Sequence, residues 1–344
     1  MTGTYKIDFH MFPPVGKTDW RYAFATGKVR ALAARMMDTS AMAEAAGAGD
    51  LRSCMELLSA GRYSFDQRTE DFAATETALL EHRSAARKLF AELVEPLDAP
   101  VAGLFRSRND FTNMRLGLRR VLTGKPVGTD YDNEGNVPAS TLARLLEEEK
   151  FQSLPDHMHR AAERAFAAYY RHKDIRDIDY AVDAVEAEYR LQQAAELRNA
   201  FLSGLFRIET DLVNIRAVFR MRFLKNPMRR ALLHGGYVDR RRLEEALEAD
   251  EGTAAALFAA TPYRGIVESG VSYLASNGSF LRLEQQCERH MNSFLGTGWR
   301  VTSGLQPVVA YLLRAEGEIR AVRLILNAKK HGLETRLILD RLGI

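Results

Sequence analysis

Several stretches of the chain carry residue types that could do chemistry, and in each the sequence argues against it. Gly16-Lys17-Thr18 has the ending of a phosphate-binding loop, in which an earlier glycine lets backbone amides wrap the phosphate. Met11 stands where that glycine belongs, and Pro13 and Pro14 bring no amide hydrogen to the would-be loop. Nucleotide binding is excluded there. His157-Met158-His159 places two imidazoles on one side of an extended chain or on diverging faces of a helix, without a third ligand nearby. Surface or packing histidines are expected, not a metal centre. Glu147-Glu148-Glu149 is a run of like charge, expected to be solvated at a helix end, and no isolated carboxylate pair offers an acid and a base. Cys54 and Cys287 lie far apart without ligand spacing, so buried free thiols in a reducing compartment are expected. Asn277-Gly278-Ser279 matches a glycosylation acceptor but is expected to be a turn. The residues therefore predict no catalytic group, no cofactor, no metal and no small-molecule substrate.

What recurs instead is a polar signature on a helix. Asp211, Asn214, Arg216 and Arg220 repeat the pattern of Asp110, Asn113, Arg115 and Arg119, with apolar residues after each asparagine and the asparagines 101 positions apart. A weaker third copy, Gly317-Glu318-Ile319-Arg320-Ala321-Val322, follows after 104 positions, with Glu318 in place of asparagine and Leu324 in place of the second arginine. Such intervals belong to duplicated helical domains rather than to short solenoid repeats. In the second copy Ile208, Leu212, Ile215, Phe219 and Phe223 form one apolar face, while Asp211 and Asn214 share a second stripe and Arg216 and Arg220 a third. An asparagine inside a helix costs about a few tenths of a kcal/mol, so its recurrence points to a specific hydrogen bond. The expected role is to tie the signature helix to loops of its own unit, with the arginines as ion-pair or carbonyl partners.

The elements that must position these residues are helices. Ala, Leu, Glu and Arg dominate the 344 residues, 10 prolines are thinly spread, and a 46% hydrophobic content furnishes two or three cores. An all-α fold is predicted. From Tyr22 onward Val29, Leu32, Ala33 and Met36 make one apolar stripe, and a long polar helix is expected from Thr69 to Leu93. Breaks fall at Gly124-Lys125-Pro126 and the polar stretch to Pro138, then at Asn226-Pro227 and Gly235-Gly236. After each, Val137, Leu142 and Leu146 match Val238, Leu243 and Leu247. The predicted organisation is a lead-in and first helical repeat over 1–124, a second repeat over 125–231 and a third over 232–344. Each unit reads as short helices, a long charged helix and a closing signature helix.

A net charge of +3 is small for a dedicated nucleic-acid binder, which concentrates cations against phosphates. Basic clusters at Arg220 to Arg230, at Arg240-Arg241-Arg242 and at Lys329-Lys330 are expected to be solvated helix ends and loops. No apolar run approaches the length of a membrane span, so any membrane contact is expected to be peripheral.

Together with the opening Tyr22…Gly27-Lys28-Val29-Arg30-Ala31-Leu32 and the ending Ala310-Tyr311-Leu312…Glu318-Ile319-Arg320…Leu326…Lys329-Lys330, this ordered pattern resembles the C-type stalk subunits of archaeal and bacterial V/A-type ATPases (ATP synthases). The eukaryotic counterpart is the d-type subunit of the V-ATPase. The resemblance runs from about Tyr22 to the C-terminus and implies three pseudo-equivalent helical domains arranged as a funnel or collar. It implies a non-catalytic rotor part seated on the membrane proteolipid ring at the cytoplasmic face, receiving the central-shaft subunits. Such a part transmits torque between ATP hydrolysis or synthesis elsewhere and ion movement through the ring. The family supplies no catalytic residue, so Asp110, Asn113, Arg115, Arg119, Asp211, Asn214, Arg216, Arg220, Glu318 and Arg320 are nominated as architectural only. The alternative is a generic helical scaffold of duplicated domains without a rotary role.

Overall fold

Good helix formers fill the chain between its glycine and proline breaks, and in the computed structural model that propensity yields fourteen α-helices, three short 3-10 turns and no strand among the described residues. The structure describes residues 12–63, 65, 72–124 and 131–344. Met11, the expected helix start at Thr69 and residues 125–130 of the first expected boundary lie outside them. The protein is all-α.

In order the helices are α1 (Ala23–Ala33), α2 (Thr39–Gly47), α3 (Leu51–Gly61), α4 (Phe72–Thr123), α5 (Ala139–Glu147), α6 (Asp156–His172) and α7 (Arg176–Glu196). There follow α8 (Ala200–Phe223), α9 (Arg240–Glu248), α10 (Glu251–Ala256), α11 (Arg264–Asn277), α12 (Leu281–Trp299), α13 (Leu305–Lys330) and α14 (Thr335–Leu342). The Asn277-Gly278 turn ends α11, with Gly278 at a φ of 61°, in the left-handed region that glycine adopts most readily. Helix α4 is broken at Asp98, where φ is −149° and ψ is 72°. Pro100 explains the break, because it lacks an amide hydrogen and its ring crowds the carbonyl one turn earlier. The Tyr22 hydroxyl donates to Asp98 at 2.5 Å and fixes the bend.

The chain falls into two compact units, one comprising Met1–Gly16 and Pro100–Cys287, the other Lys17–Ala99 and Glu288–Ile344. In the first, the part of α4 after the break buries Phe111, Met114 and Leu118 against α5, α6 and α7. The α6 side of that core is Met158 with Ala161, Ala162 and Ala165, and these small residues let α6 and α7 approach closely. In the second unit, Ile319, Val322, Ile325 and Leu326 of α13 pack with Ala45 and Ala46 of α2 and with Cys54, Met55 and Leu58 of α3. One core is therefore made from both ends of the chain.

Both cysteines are free and buried. Burial pushes the Cys54 thiol up to about 11 and the Cys287 thiol up to about 12, so thiolate, the reactive form, is scarce at neutral pH. Neither thiol should be alkylated by iodoacetamide at pH 8 in the native chain, and both should react in denaturant. Mass spectrometry of the native sample would contradict this by finding either cysteine modified early.

Candidate functional site

The first signature copy lies on α4 and reaches forward along the chain. The Asp110 carboxylate accepts the backbone N–H groups of Asn136 at 3.1 Å and Val137 at 3.0 Å, and the Asn136 side-chain amide at 2.8 Å. One turn later Asn113 makes a two-way bond with the backbone of Asp132, its amide donating at 2.7 Å and its oxygen accepting at 2.9 Å. A side-chain amide that mimics a peptide partner in this way satisfies both groups of a residue in irregular backbone. Arg115 pairs with Asp183 and Glu186, and Arg119 with Asp179, all on α7.

The second copy, on α8, repeats these bonds in the same register. Asp211 accepts Tyr237 N–H at 2.9 Å and Val238 N–H at 3.0 Å, at the same separations of 26 and 27 residues found for Asp110. Asn214 exchanges bonds with the backbone of Leu233 at 3.0 and 2.7 Å, 19 residues on, as Asn113 does with Asp132. Arg216 meets Glu284 at 3.1 Å across 68 residues, the separation of Arg115 from Asp183, and Arg220 binds the same glutamate. Asp211 also accepts the buried Tyr263 hydroxyl at 2.7 Å. Burial pushes its carboxyl up to about 6, against the pull of the bonds from Tyr263, Val238 and Tyr237.

Close approach in both clamps depends on a glycine. An ideal Cβ on Gly135 would collide with Asp110 Oδ1, and one on Gly236 with Asp211 Oδ1. Gly236→Ala should therefore destabilise the protein by about 2 kcal/mol, through a displaced carboxylate and the buried donors it leaves unsatisfied. Gly265→Ala, at a helical site with open space around it, is the control and should be neutral or slightly stabilising. Equal denaturant midpoints for the two variants would remove the clamp as the reason.

The third copy, on α13, achieves a related result with other residues. Ala315 stands where the aspartates stand, and Glu318 reaches across with its longer side chain. Its Oε2 accepts the Met37 N–H at 2.9 Å and its Oε1 accepts the Tyr63 hydroxyl at 2.9 Å, with Arg62 at 3.4 Å. Met37 precedes the N-cap of the nine-residue helix α2, as Val137 and Val238 precede those of the nine-residue α5 and α9. In all three places a signature-helix carboxylate holds the amide just before the cap. Leu324 cannot pair, and Arg323 beside it meets Glu76 at 2.9 Å instead. Arg320 is exposed and makes no hydrogen bond or ion pair among the described residues, unlike Arg115 and Arg216.

A family model described as the ATP synthase (C/AC39) subunit matches residues 25–341. The chain belongs to that family. It is thus a subunit type of the rotary V/A-type ATPases, whose partners are other subunits of that complex. No curated protein matches the chain. Among the described residues no helix of this C/AC39 subunit is long and apolar enough to cross a membrane.

The other sequence features of this C/AC39 chain have local partners. His157 stacks on Tyr189 at 4.0 Å and lies 5.5 Å from Phe111, while His159 Nε2 sits 3.1 Å from Glu163. Among the described residues no group of three or more His, Cys, Asp or Glu side chains could hold a metal ion. Pro13 to Thr18 is irregular and leads into a short 3-10 turn, so the helix that follows a phosphate-binding loop is not formed there. The sequence predicts solvated basic clusters, and Arg220, Lys225, Arg229, Arg230 and Arg241 are exposed, while several cations of these clusters also have local partners. Arg222 donates to the carbonyls of Ala246 and Ala249 at the end of α9, at 2.7 and 2.6 Å. Arg229 pairs with Glu248, Arg230 with Asp177 and Arg240 with Glu244, so these guanidiniums cap carbonyls and neutralise nearby acids.

Sequence reasoning missed Met37, Tyr63, Gly135, Gly236 and Tyr263 as members of the clamps. A signal existed for the glycines, since Gly135 and Gly236 each follow a signature aspartate by 25 positions and each precede a valine by two. The first two signature helices bond to loops and helices downstream, so their clamps span the boundaries expected at 124/125 and 231/232.

Proposed function

We propose that this C/AC39 subunit is a non-catalytic central-stalk adapter of a V/A-type ATPase, linking the central-shaft subunits to the membrane proteolipid ring at its cytoplasmic face. In this role it transmits torque between ATP hydrolysis or synthesis in a separate headpiece and ion translocation by the ring. One observation carries the reading beyond family membership: the signature carboxylates and amides pin irregular backbone to long helices in the same register in two places, with a related clamp at a third. A part that carries torque must resist shear, and close-packed helices with fully bonded connections deform little. Ion pairs add to this within one unit, where Glu186 and Glu209 flank Arg190 and Arg108 meets Glu209 at 3.6 Å.

The same reading divides the molecule into three helical repeats. The expected bounds are 1–124, 125–231 and 232–344, each closing on its signature helix; the clamps favour moving them so that each repeat opens on that helix, the third joining α13 to α2, α3 and the first part of α4. The nominated residues are architectural in this reading, and none is assigned to partner contact.

The test uses the full-length chain. It should bind a purified shaft-subunit pair, hydrolyse no ATP by itself, and co-purify with headpiece and proteolipid subunits from detergent-solubilised membranes. Recovery without those subunits would leave only the generic helical scaffold, and ATP turnover by the chain alone would overturn the non-catalytic assignment.

A further inference from the structure

We propose that the outer face of α1 and of the 3-10 turn Trp20–Tyr22 before it docks a helix of another protein of the ATPase, one that presents an apolar strip edged by carboxylates. The inference rests on the adapter reading above and adds the place and chemistry of one contact. Trp20 is 70% and Phe24 76% exposed, the highest values for large apolar side chains among the described residues. Most of the other aromatic side chains are at least partly buried, because exposed aromatic surface forfeits about 25 cal/mol per Å² of burial. Two large rings four positions apart in the chain and left in water mark a surface awaiting cover.

The exposure does not come from a loosely held helix. Ala25, Thr26 and Val29 are buried on the inner side of α1, which packs on α13. Asp19 N–H donates to the Ser303 carbonyl at 2.8 Å, Ser303 Oγ donates back to the Asp19 carbonyl at 2.8 Å, and Arg30 donates to the Val301 carbonyl at 2.9 Å. The aromatic pair is therefore presented on a fixed support, which lowers the ordering cost of association.

The rest of the face specifies its occupant. At 3.6 residues per turn, Phe24, Gly27, Lys28 and Ala31 fall within an arc of about 100° on α1. All four are exposed, and a Cβ added at Gly27 would meet nothing within 4 Å. Beside two large rings, Gly27 and Ala31 leave a shelf onto which the ridge of a second helix fits. The charge around the shelf is one-sided. From Asp19 to Arg35 there are four cations, Arg21, Lys28, Arg30 and Arg35, against two carboxylates, Asp19 and, from α4, Asp98, and both of these are held by Arg21. Neither Lys28 nor Arg35 makes a hydrogen bond or ion pair among the described residues. An aromatic centre with a cationic rim complements an apolar strip with carboxylates at its edge. A lipid surface fits less well, because an interfacial helix sinks a whole apolar face into the bilayer, and here the inner face is already used.

The experiment expresses full-length variants in place of the wild-type chain and purifies the ATPase from solubilised membranes through a tagged headpiece protein. Trp20→Ala/Phe24→Ala should lower recovery of this chain at least tenfold, and Lys28→Glu/Arg35→Glu should do so at low salt. Both pairs are solvent-facing, so circular dichroism melts should match wild type and exclude misfolding. A photo-crosslinking residue at position 24 should join to a helical peptide of another ATPase protein that carries Asp or Glu. Undiminished recovery of the aromatic double variant overturns the proposal. Loss in the aromatic variant but not in the charge reversal overturns the acidic partner, and binding of the isolated chain to phosphatidylglycerol vesicles through Trp20 assigns the face to lipid instead. If the wild-type chain itself is not recovered with the complex, the adapter reading fails and takes this docking site with it.

Discussion

Replacing Glu318 with alanine should cost about 3 to 5 kcal/mol, among the largest losses expected of any single substitution in this chain, because it breaks a buried charge cluster that several donors share. Glu318 is 4% exposed, and its two oxygens serve the Met37 amide, the Tyr63 hydroxyl and the Arg62 guanidinium. Burial, together with the charge and hydrogen bond of Glu318, raises the Tyr63 phenol above its ordinary value, so Tyr63 stays a donor at all ordinary pH values. Removing the carboxylate strands that donor at a site 2% exposed. Glu318→Gln keeps one acceptor oxygen but substitutes donors for the other, and a loss of about 1 to 3 kcal/mol is expected. The damage should be local. Amide hydrogen exchange should rise first at Met37 and through α2, while Asp132 and Leu233, held by Asn113 and Asn214, keep their protection. Denaturant unfolding that shows less than about 1 kcal/mol of loss for the alanine variant would mean that the carboxylate does not hold the chain ends together.

This third clamp also shows where reading a sequence stops. The recurrence of Asp110 and Asn113 in Asp211 and Asn214 is visible as a fixed interval, and the structure gives those four side chains matching partners at matching separations. That much is local pattern on a helix. Glu318 is legible only as a departure from the pattern, because its meaning depends on Ala315 and on a partner 281 residues earlier. Periodicity within one helix carries no information about contacts of that range. Helical content follows from propensity, since good helix formers fill most of the described helices. The placing of unit boundaries does not follow, because glycine and proline mark where a helix stops and not which neighbour its polar face will bond. The pattern predicts that the signature serves loops of its own unit, and in the first two copies the loop it serves lies downstream, beyond the expected boundary. The arginine clusters are legible as solvated, Arg241 being 86% exposed, but not with their partners: Glu244 and Glu245, one turn on, meet Arg240 and Arg241 at 2.8 Å each.

Asp211 should reveal itself through pH as well as through mutation. At neutral pH its carboxylate accepts two backbone amides and a tyrosine hydroxyl in a fully buried site. Asp211→Ala should cost about 3 to 5 kcal/mol, since three buried donors lose their acceptor together. Asp211→Asn is the more informative variant, because it keeps the volume and removes the titration. Desolvation raises the folded carboxyl from the ordinary 3.8 to about 6, so the folded state binds the proton more tightly than the unfolded chain does. Stability assigned to this group therefore rises as pH falls from about 6 to about 4 and is flat outside that window. A shift of this size corresponds to about 3 kcal/mol at most. Wild type loses stability in acid through its many other carboxylates, but those are shared with the variant and cancel in the difference. The advantage of wild type over Asp211→Asn should thus be smaller at pH 7 than at pH 4.5, measured by urea unfolding at both. An advantage that shrinks on acidification would mean the bonds from Tyr237, Val238 and Tyr263 outweigh burial and hold the folded carboxyl below its ordinary value. The Gly236 approach would then be read as serving a stabilised anion, not as a close contact made at the expense of solvation.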